Sequence, residues 1–261
     1  MRSDSRPVDV RELIRKGEIE GPTSGMCLGY VQANLVVLSK DMAYDFLLFC
    51  QRNPKPCPLL DVTEVGSPEP KIIAPGADLR YELSRYRIYK NGELVGEVGD
   101  IAGYWREDSI AFLLGCSFTF EGSLMRSGIP MRHIEEGHNV PMYITDIECY
   151  PSGTFSGPMV VSMRPVLEEM VVKAVQITSK FPRVHGAPIH IGNPEGIGIV
   201  DLNRPDFGEP VTVKRGEIPL FWACGVTTQV IALRAKPEIM MTHSPGHMFI
   251  SDILNEEYSL L

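Results

Sequence analysis

Apolar residues in this chain come in short, bounded runs punctuated by glycine and proline, the pattern of alternating strands and helices, with no solenoid period. Leu35-Val-Val-Leu38 is apolar throughout and reads as a buried strand. Upstream, Asp9 to Gly17 predicts a short helix with Asp9 as its N-cap and Gly17 as its stop. Downstream, Asp41 caps a helix running to Cys50, with Ala43, Phe46, Leu47 and Cys50 on one stripe. The prolines between Asn53 and Pro58 end it. Tyr86 to Val95 predicts a hairpin turning at Asn91-Gly92. Asp108 to Leu114 is a further strand, leading through Gly115-Cys116-Ser117 into a helix that Gly128 and Pro130 terminate. Val140 to Thr145 and Pro158 to Met163 read as strands. An amphipathic helix then follows from Pro165 to Phe181, with Glu168 and Glu169 in its first turn and Lys180 near its end.

This alternation predicts an α/β protein: a three-layer α/β/α main domain, residues 1–130 and 184–261, with a smaller two-layer α+β domain, residues 131–183, inserted. One stretch occurs twice. Phe112-Leu-Leu-Gly-Cys116-Ser-Phe-Thr119 and Phe221-Trp-Ala-Cys224-Gly-Val-Thr227 both read as apolar strand, Cys, two residues, Thr, then helix. Such a turn sets free backbone N–H groups and a helix dipole at a strand end, where an anion is favoured. Two readings stay open: a pocket lined from both sides with pseudo-two-fold symmetry, or coincidence among the small residues common in such turns.

Composition narrows the classes. The 261 residues carry a formal net charge of −8 and no basic run, against a nucleic-acid partner. No window is apolar enough to span a membrane, and no secretion signal follows Met1-Arg-Ser-Asp-Ser-Arg-Pro, so a cytoplasmic location is expected. Six cysteines without CxxC or zinc-finger spacing are read as reduced thiols. Gly192-Asn-Pro-Glu-Gly-Ile-Gly198 has the wrong glycine spacing for a dinucleotide loop, and neither GxxxxGK[ST] nor Gly-x-Ser-x-Gly occurs. No nucleotide cofactor is expected.

Several motifs together carry a resemblance. Gly21-Pro-Thr-Ser-Gly25, Gly29-Tyr-Val-Gln-Ala-Asn34, Phe46 to Pro58 and Ala74-Pro-Gly-Ala-Asp-Leu-Arg80 open it. Gly115-Cys-Ser-Phe, Arg132-His-Ile-Glu-Glu-Gly, Asn139-Val-Pro-Met-Tyr143 and Gly157-Pro-Met-Val-Val-Ser-Met-Arg164 continue it. Phe181 to Gly192, Phe221-Trp-Ala-Cys-Gly-Val-Thr and Thr242-His-Ser-Pro-Gly-His-Met-Phe249 complete it. In order and from about residue 10 to the end, the chain resembles a bacterial hydro-lyase family that includes D-glutamate cyclase. The resemblance implies an α/β protein in two parts and a lyase that removes water. For D-glutamate cyclase, the amine of the substrate attacks its own side-chain carboxylate and gives 5-oxo-D-proline.

That reaction needs a base, an electrophilic stabiliser and a carboxylate clamp. The candidate bases are His185 and His190 in His-Gly-Ala-Pro-Ile-His, and His243 and His247 in His-Ser-Pro-Gly-His; glycine and proline put all four on loops. The alternative is that they only bond nearby carbonyls. A divalent metal would supply the electrophile; His243, His247 and Asp252 are its candidate ligands, with Glu135 and Glu136, although the spacing fits no standard site. Cys116 and Cys224 lie where a helix N-terminus lowers a thiol pKa, an arrangement similar to the paired cysteines of amino-acid racemases; the alternative is a pair of small pocket-lining residues. Ser117, Thr119, Thr227 and Thr228 are candidate donors to a bound carboxylate, or plain helix caps. Arg164 and Arg132 are the first candidates for the clamp, ahead of Arg52 and Arg183, and Gln32 and Asn34 could read an amino or carboxyl group. The expected partner is thus a small carboxylate substrate. A lyase or isomerase on another small amino or hydroxy acid, or a non-catalytic amino-acid binder, remains open. A homodimer closed by apolar edges such as Phe221-Trp222 is the default for a soluble chain.

Overall fold

In a computed structural model, which describes residues 5–260, the run Leu35–Leu38 lies within a longer strand, β1 (Tyr30–Ser39), whose eight inner residues are all buried. A strand covered on both faces reads as a continuous apolar run, which is why no alternation shows there. Helix α1 (Pro7–Arg15) precedes it and α2 (Lys40–Arg52) follows. α1 starts at Pro7, earlier than predicted, because proline suits the first helical position, where the missing N–H costs nothing. Asp9 therefore falls inside the first turn and takes the Arg6 guanidinium at 2.8 Å. Next come β2 (Leu59–Val62) and the hairpin β3 (Tyr86–Lys90) and β4 (Glu93–Val98), turning at Asn91 and Gly92 with φ of +50° and +81° as its sequence demands.

Strand β5 (Ser109–Gly115) leads into α3 (Phe118–Arg126), followed by α4 (Arg132–Glu136), β6 (Met142–Glu148) and β7 (Pro158–Leu167). The helix predicted from Pro165 starts later, at α5 (Val171–Ser179), after one 3₁₀ turn. Tertiary pairing overrides the local signal there. Residues 164–167 stay extended because they continue the ladder with Leu220–Glu217 of a later strand. The chain then runs through β8 (His190–Ile191), β9 (Glu217–Ala223), α6 (Thr227–Ala235), β10 (Met240–His243) and β11 (Phe249–Leu254).

Seven strands form one sheet in the order β2-β5-β1-β10-β3-β4, with β11 also on β1, and four form a second in the order β6-β7-β9-β8. Every pairing between named strands is antiparallel, so the molecule is an α/β fold of helices mixed with antiparallel sheets. The smaller sheet takes two strands from residues 131–183 and two from beyond residue 184. On one face of the large sheet, Val36, Leu38 and Phe112 pack with Phe46 and Phe49 of α2 and Ile231 of α6. On the other, Leu35, Val37 and Leu113 share a cluster with Phe120 and Leu124 of α3, Ala174 of α5 and Trp222 of β9. Trp222 in this cluster and Phe221, in a separate one with Tyr143, Val161 and Met163, are both fully buried, which removes them as an exposed apolar edge.

Because β5 occupies one side of β1, β10 and β11 share the other; β11 pairs as far as Ala33 and β10 from Val36. Leu35 falls in the gap between them. Its N–H donates instead to Nδ1 of His243, at 3.2 Å.

Candidate active site

The two copies of the strand–Cys–x–x–Thr motif fold alike, down to individual hydrogen bonds. After β5, the Cys116 N–H donates to the Gln32 carbonyl (3.1 Å), and the Gln32 N–H donates back to Thr119 Oγ1 (3.1 Å). After β9, the Cys224 N–H donates to the Val160 carbonyl (2.9 Å), and the Val160 N–H to Thr227 Oγ1 (2.9 Å). Each threonine hydroxyl thus replaces the strand partner its neighbour loses where the chain turns into a helix. The two turns are thus alike in local structure as well as in sequence.

Both cysteines lie in one apolar cluster with Phe118, Val140, Met142, Val226 and Met248. The backbone N–H groups of Phe118 and Val226 act to lower the Cys116 and Cys224 thiols respectively, as expected at helix starts. Burial nevertheless dominates and raises both thiols, Cys224 to about 11. Both buried thiols are therefore neutral at pH 7, and the lowering expected from the helix termini does not prevail. Asn34 bridges the turns. Its Nδ2 donates to Gly115 O (2.7 Å) and Leu114 O (3.2 Å), and it lies so close to Gly225 that a Cβ there would stand 2.2 Å away. Gln32 binds the Gly21–Gly25 loop, accepting from Thr23 Oγ1 at 2.8 Å.

Beside the turns lies a charged network without solvent exposure. The Arg164 Nε donates to Glu121 Oε1 (3.0 Å), Nη1 to Ser162 Oγ (3.0 Å) and Nη2 to Ser117 Oγ (2.9 Å), and its Cζ lies 5.5 Å from the ring centres of Phe120 and Trp222. With these partners Arg164 binds an internal carboxylate, Glu121, in place of the substrate carboxylate expected of it. His133 Nε2 sits 3.3 Å from Glu121 Oε1 and 3.3 Å from Ser24 Oγ, its ring stacked on Phe118. Burial alone would raise the Glu121 carboxyl; His133 and Arg164 beside it outweigh burial and hold the group at about 2. Ser24 and His133 are also walls of an open cavity of about 680 Å³, rimmed by His138, Asn139 and Glu209. Through His133 and Ser24 this buried network borders a space that a small molecule can enter.

The remaining predicted residues lie elsewhere or are otherwise engaged. His185 is buried behind the β5 turn, its Nδ1 2.7 Å from Lys55 O, and burial holds it near 4. His190 is on the edge strand β8, bonded to Asn193 O at 2.6 Å. His243 fills the gap on β1, where burial keeps it near 3, and His247 bonds Pro245 O within its own loop. Arg132 is spent on Glu135, Glu217 and Thr212 O. Thr228 caps Gly225 O at 2.9 Å. Asp252 takes the Arg11 guanidinium at 2.9 Å, so the set His243, His247 and Asp252 does not assemble. Among the described residues no three His, Cys, Asp or Glu side chains converge on a metal position.

Glu121, His133 and Ser24 were not singled out by sequence. One signal was available for Glu121. It stands five residues after Cys116, as Gln229 stands five after Cys224, and Gln229 likewise receives an arginine, Arg87 Nη1 at 3.0 Å.

The family model described as D-glutamate cyclase matches residues 110–252, from β5 to β11. A protein of Thermoanaerobacter sp. strain X514 named "Putative hydro-lyase" is 65% identical over 96% of this chain and 95% of its own. The similarly named proteins of Bacillus licheniformis and Bacillus subtilis are each 61% identical, covering 99% and 98% of this chain and 99% of their own. A solved nitrogen repressor-like protein from Methanococcus jannaschii covers 94% of this chain and 97% of its own at 10% identity, with a TM-score of 0.39 that is too low to carry an argument. With a family match over more than half of its length and relatives alike from end to end, the chain belongs to the D-glutamate cyclase family.

Proposed function

We propose that this protein is a hydro-lyase acting on a small acidic amino acid, in its most concrete form cyclising D-glutamate to 5-oxo-D-proline. The observation that carries the reading is the buried Glu121–Arg164–His133 network, whose His133 lines an open cavity. Family membership and the names of the relatives support the same class of reaction. The amine nitrogen bonds to Cδ, the carbon of the side-chain carboxylate, one of that carbon's bonds to oxygen breaks, and one amine hydrogen leaves with the carboxyl OH as water. In this reading His133 takes the proton from the amine and returns it to the departing oxygen. Glu121 stabilises the imidazolium that forms, and Arg164 keeps Glu121 ionised. Ser24 and the turn N–H groups orient the substrate; near-attack geometry of this kind is worth up to about 7–11 kcal/mol in the best intramolecular cases. The apolar, neutral-thiol surface around Cys116 and Cys224 excludes water from the reacting carbons.

The pairing of the two thiols in one cluster favours a second reading, an isomerase exchanging the α-proton of a small amino acid. Proton NMR in deuterated buffer, with D-glutamate and separately L-glutamate, tests both. 5-Oxoproline from the D-form alone is the expected result. Loss of the α-proton signal without cyclisation would favour the isomerase, and binding without any change would mark an amino-acid-binding protein. No product from either enantiomer, beside an active control cyclase, would overturn the cyclase reading.

A further inference from the structure

An open groove of about 700 Å³ lies at the ends of α3 and α5, away from the Glu121 network, and Arg126, Ser127, Lys173, Lys180, Phe181 and Asn255 line it. Among the described residues, its three cations face a single carboxylate, Glu256, in a chain whose formal net charge is −8. Two of the cations have a local explanation. Arg126 is in the last turn of α3 and Lys180 caps α5, where helix dipoles favour positive charge. Lys173 has none, because it sits in the first turn of α5, where a cation is disfavoured. It is nevertheless held across the groove by Ser127 O at 2.7 Å. On the same lining, Asn255 is 1% exposed and its Oδ1 has no partner. A buried acceptor of this kind is satisfied when a bound hydroxyl donates to it.

We propose that this groove is a second ligand site, taking a hydroxylated phosphate monoester of the sugar-phosphate class. Three cations around one space fit a dianionic phosphate better than a single carboxylate. The serine hydroxyls of both helix ends and Asn255 Oδ1 suit a body rich in hydroxyls, and Phe181 supplies one apolar wall. The volume falls in the range of roughly 300–1,000 Å³ typical of small-molecule sites. Occupancy has a direct route to the candidate active site. Asn255 Nδ2 donates to Thr119 O at 2.7 Å, in the first turn of the helix that Cys116 and Ser117 lead into.

Isothermal titration with ribose 5-phosphate, ribose, inorganic phosphate and glutarate tests the assignment on the intact protein. The comparison variant is Lys173→Glu with Lys180→Glu, two exposed positions whose change leaves the core untouched. Ribose 5-phosphate is expected to bind at least about tenfold more tightly than the three other probes, and the double variant to weaken it at least about a hundredfold with an unchanged melting temperature. No binding at millimolar ribose 5-phosphate would overturn the proposal, as would equal affinity for inorganic phosphate or glutarate, or undiminished binding by the variant. Because the readout is binding alone, this result is independent of which substrate the protein turns over.

Discussion

Truncating Glu121 would leave the Arg164 guanidinium buried and uncompensated beside two aromatic rings. The expected cost of Glu121→Ala is about 3–5 kcal/mol, read from urea denaturation. Glu121→Gln should cost less, since glutamine already receives an arginine at the equivalent place, Gln229. A Gln variant as unstable as the Ala variant would refute the equivalence. For chemistry, His133→Asn should lower turnover of D-glutamate at least about a hundredfold while the ligand still binds. Unchanged turnover would remove His133 from the reaction. At this scale the sequence showed residue types but not their partners. Ser117 was legible as a donor at a turn and Arg164 as a carboxylate-binding group, whereas the attachment of Arg164 to Glu121 joins β7 to α3 across 43 positions of chain. His133 was hidden among charged neighbours in Arg132-His-Ile-Glu-Glu, where nothing local distinguishes the residue facing the cavity.

The repeated strand-to-helix turn is the element on which the site rests. Thr119→Val and Thr227→Val should each remove a bond to a buried strand N–H, costing about 1–3 kcal/mol. Amide exchange should accelerate at Gln32 in the first variant and at Val160 in the second, and the reverse pattern would contradict the stitching. Gly225→Ala should cost about 1–3 kcal/mol by forcing Asn34 aside, and the cost should shrink in an Asn34→Ala background. Additive costs would show that the contact is not the cause. The repeat was readable because strand, Cys and Thr recur at one spacing; α5 was misplaced because a helix-like pattern begins at Pro165 while β9 still holds that segment as strand.

Across the whole molecule, three buried groups give stability the same pH dependence. His185 and His243 are held by burial near 4 and 3, below the ordinary 6.5, so the unfolded chain binds protons that the native state refuses. Their contribution is present above 6.5 and falls away as pH drops toward those values, His185 alone accounting for on the order of 3 kcal/mol. Glu121, held near 2 against an ordinary 4.5, adds stability that is complete above 4.5 and lost as pH falls through 2. The urea midpoint should therefore drop steadily from pH 7 to pH 4, and a flat profile over that range would contradict the buried neutral histidines.

What the sequence by itself determined was the local grammar: the buried central strand, the Asn91-Gly92 hairpin, the two Cys-bearing turns and the family resemblance. Those features are written in neighbouring residues, through periodicity, turn chemistry and spacing. Only the tertiary structure decided the use of the polar residues. It set His243 into a gap in a ladder, put Arg132 onto a structural ion pair, and brought Glu121, His133 and Arg164 together. The reason is physical. A charged group taken out of water must find its counterpart wherever the fold supplies one, and that partner is fixed by packing between distant elements.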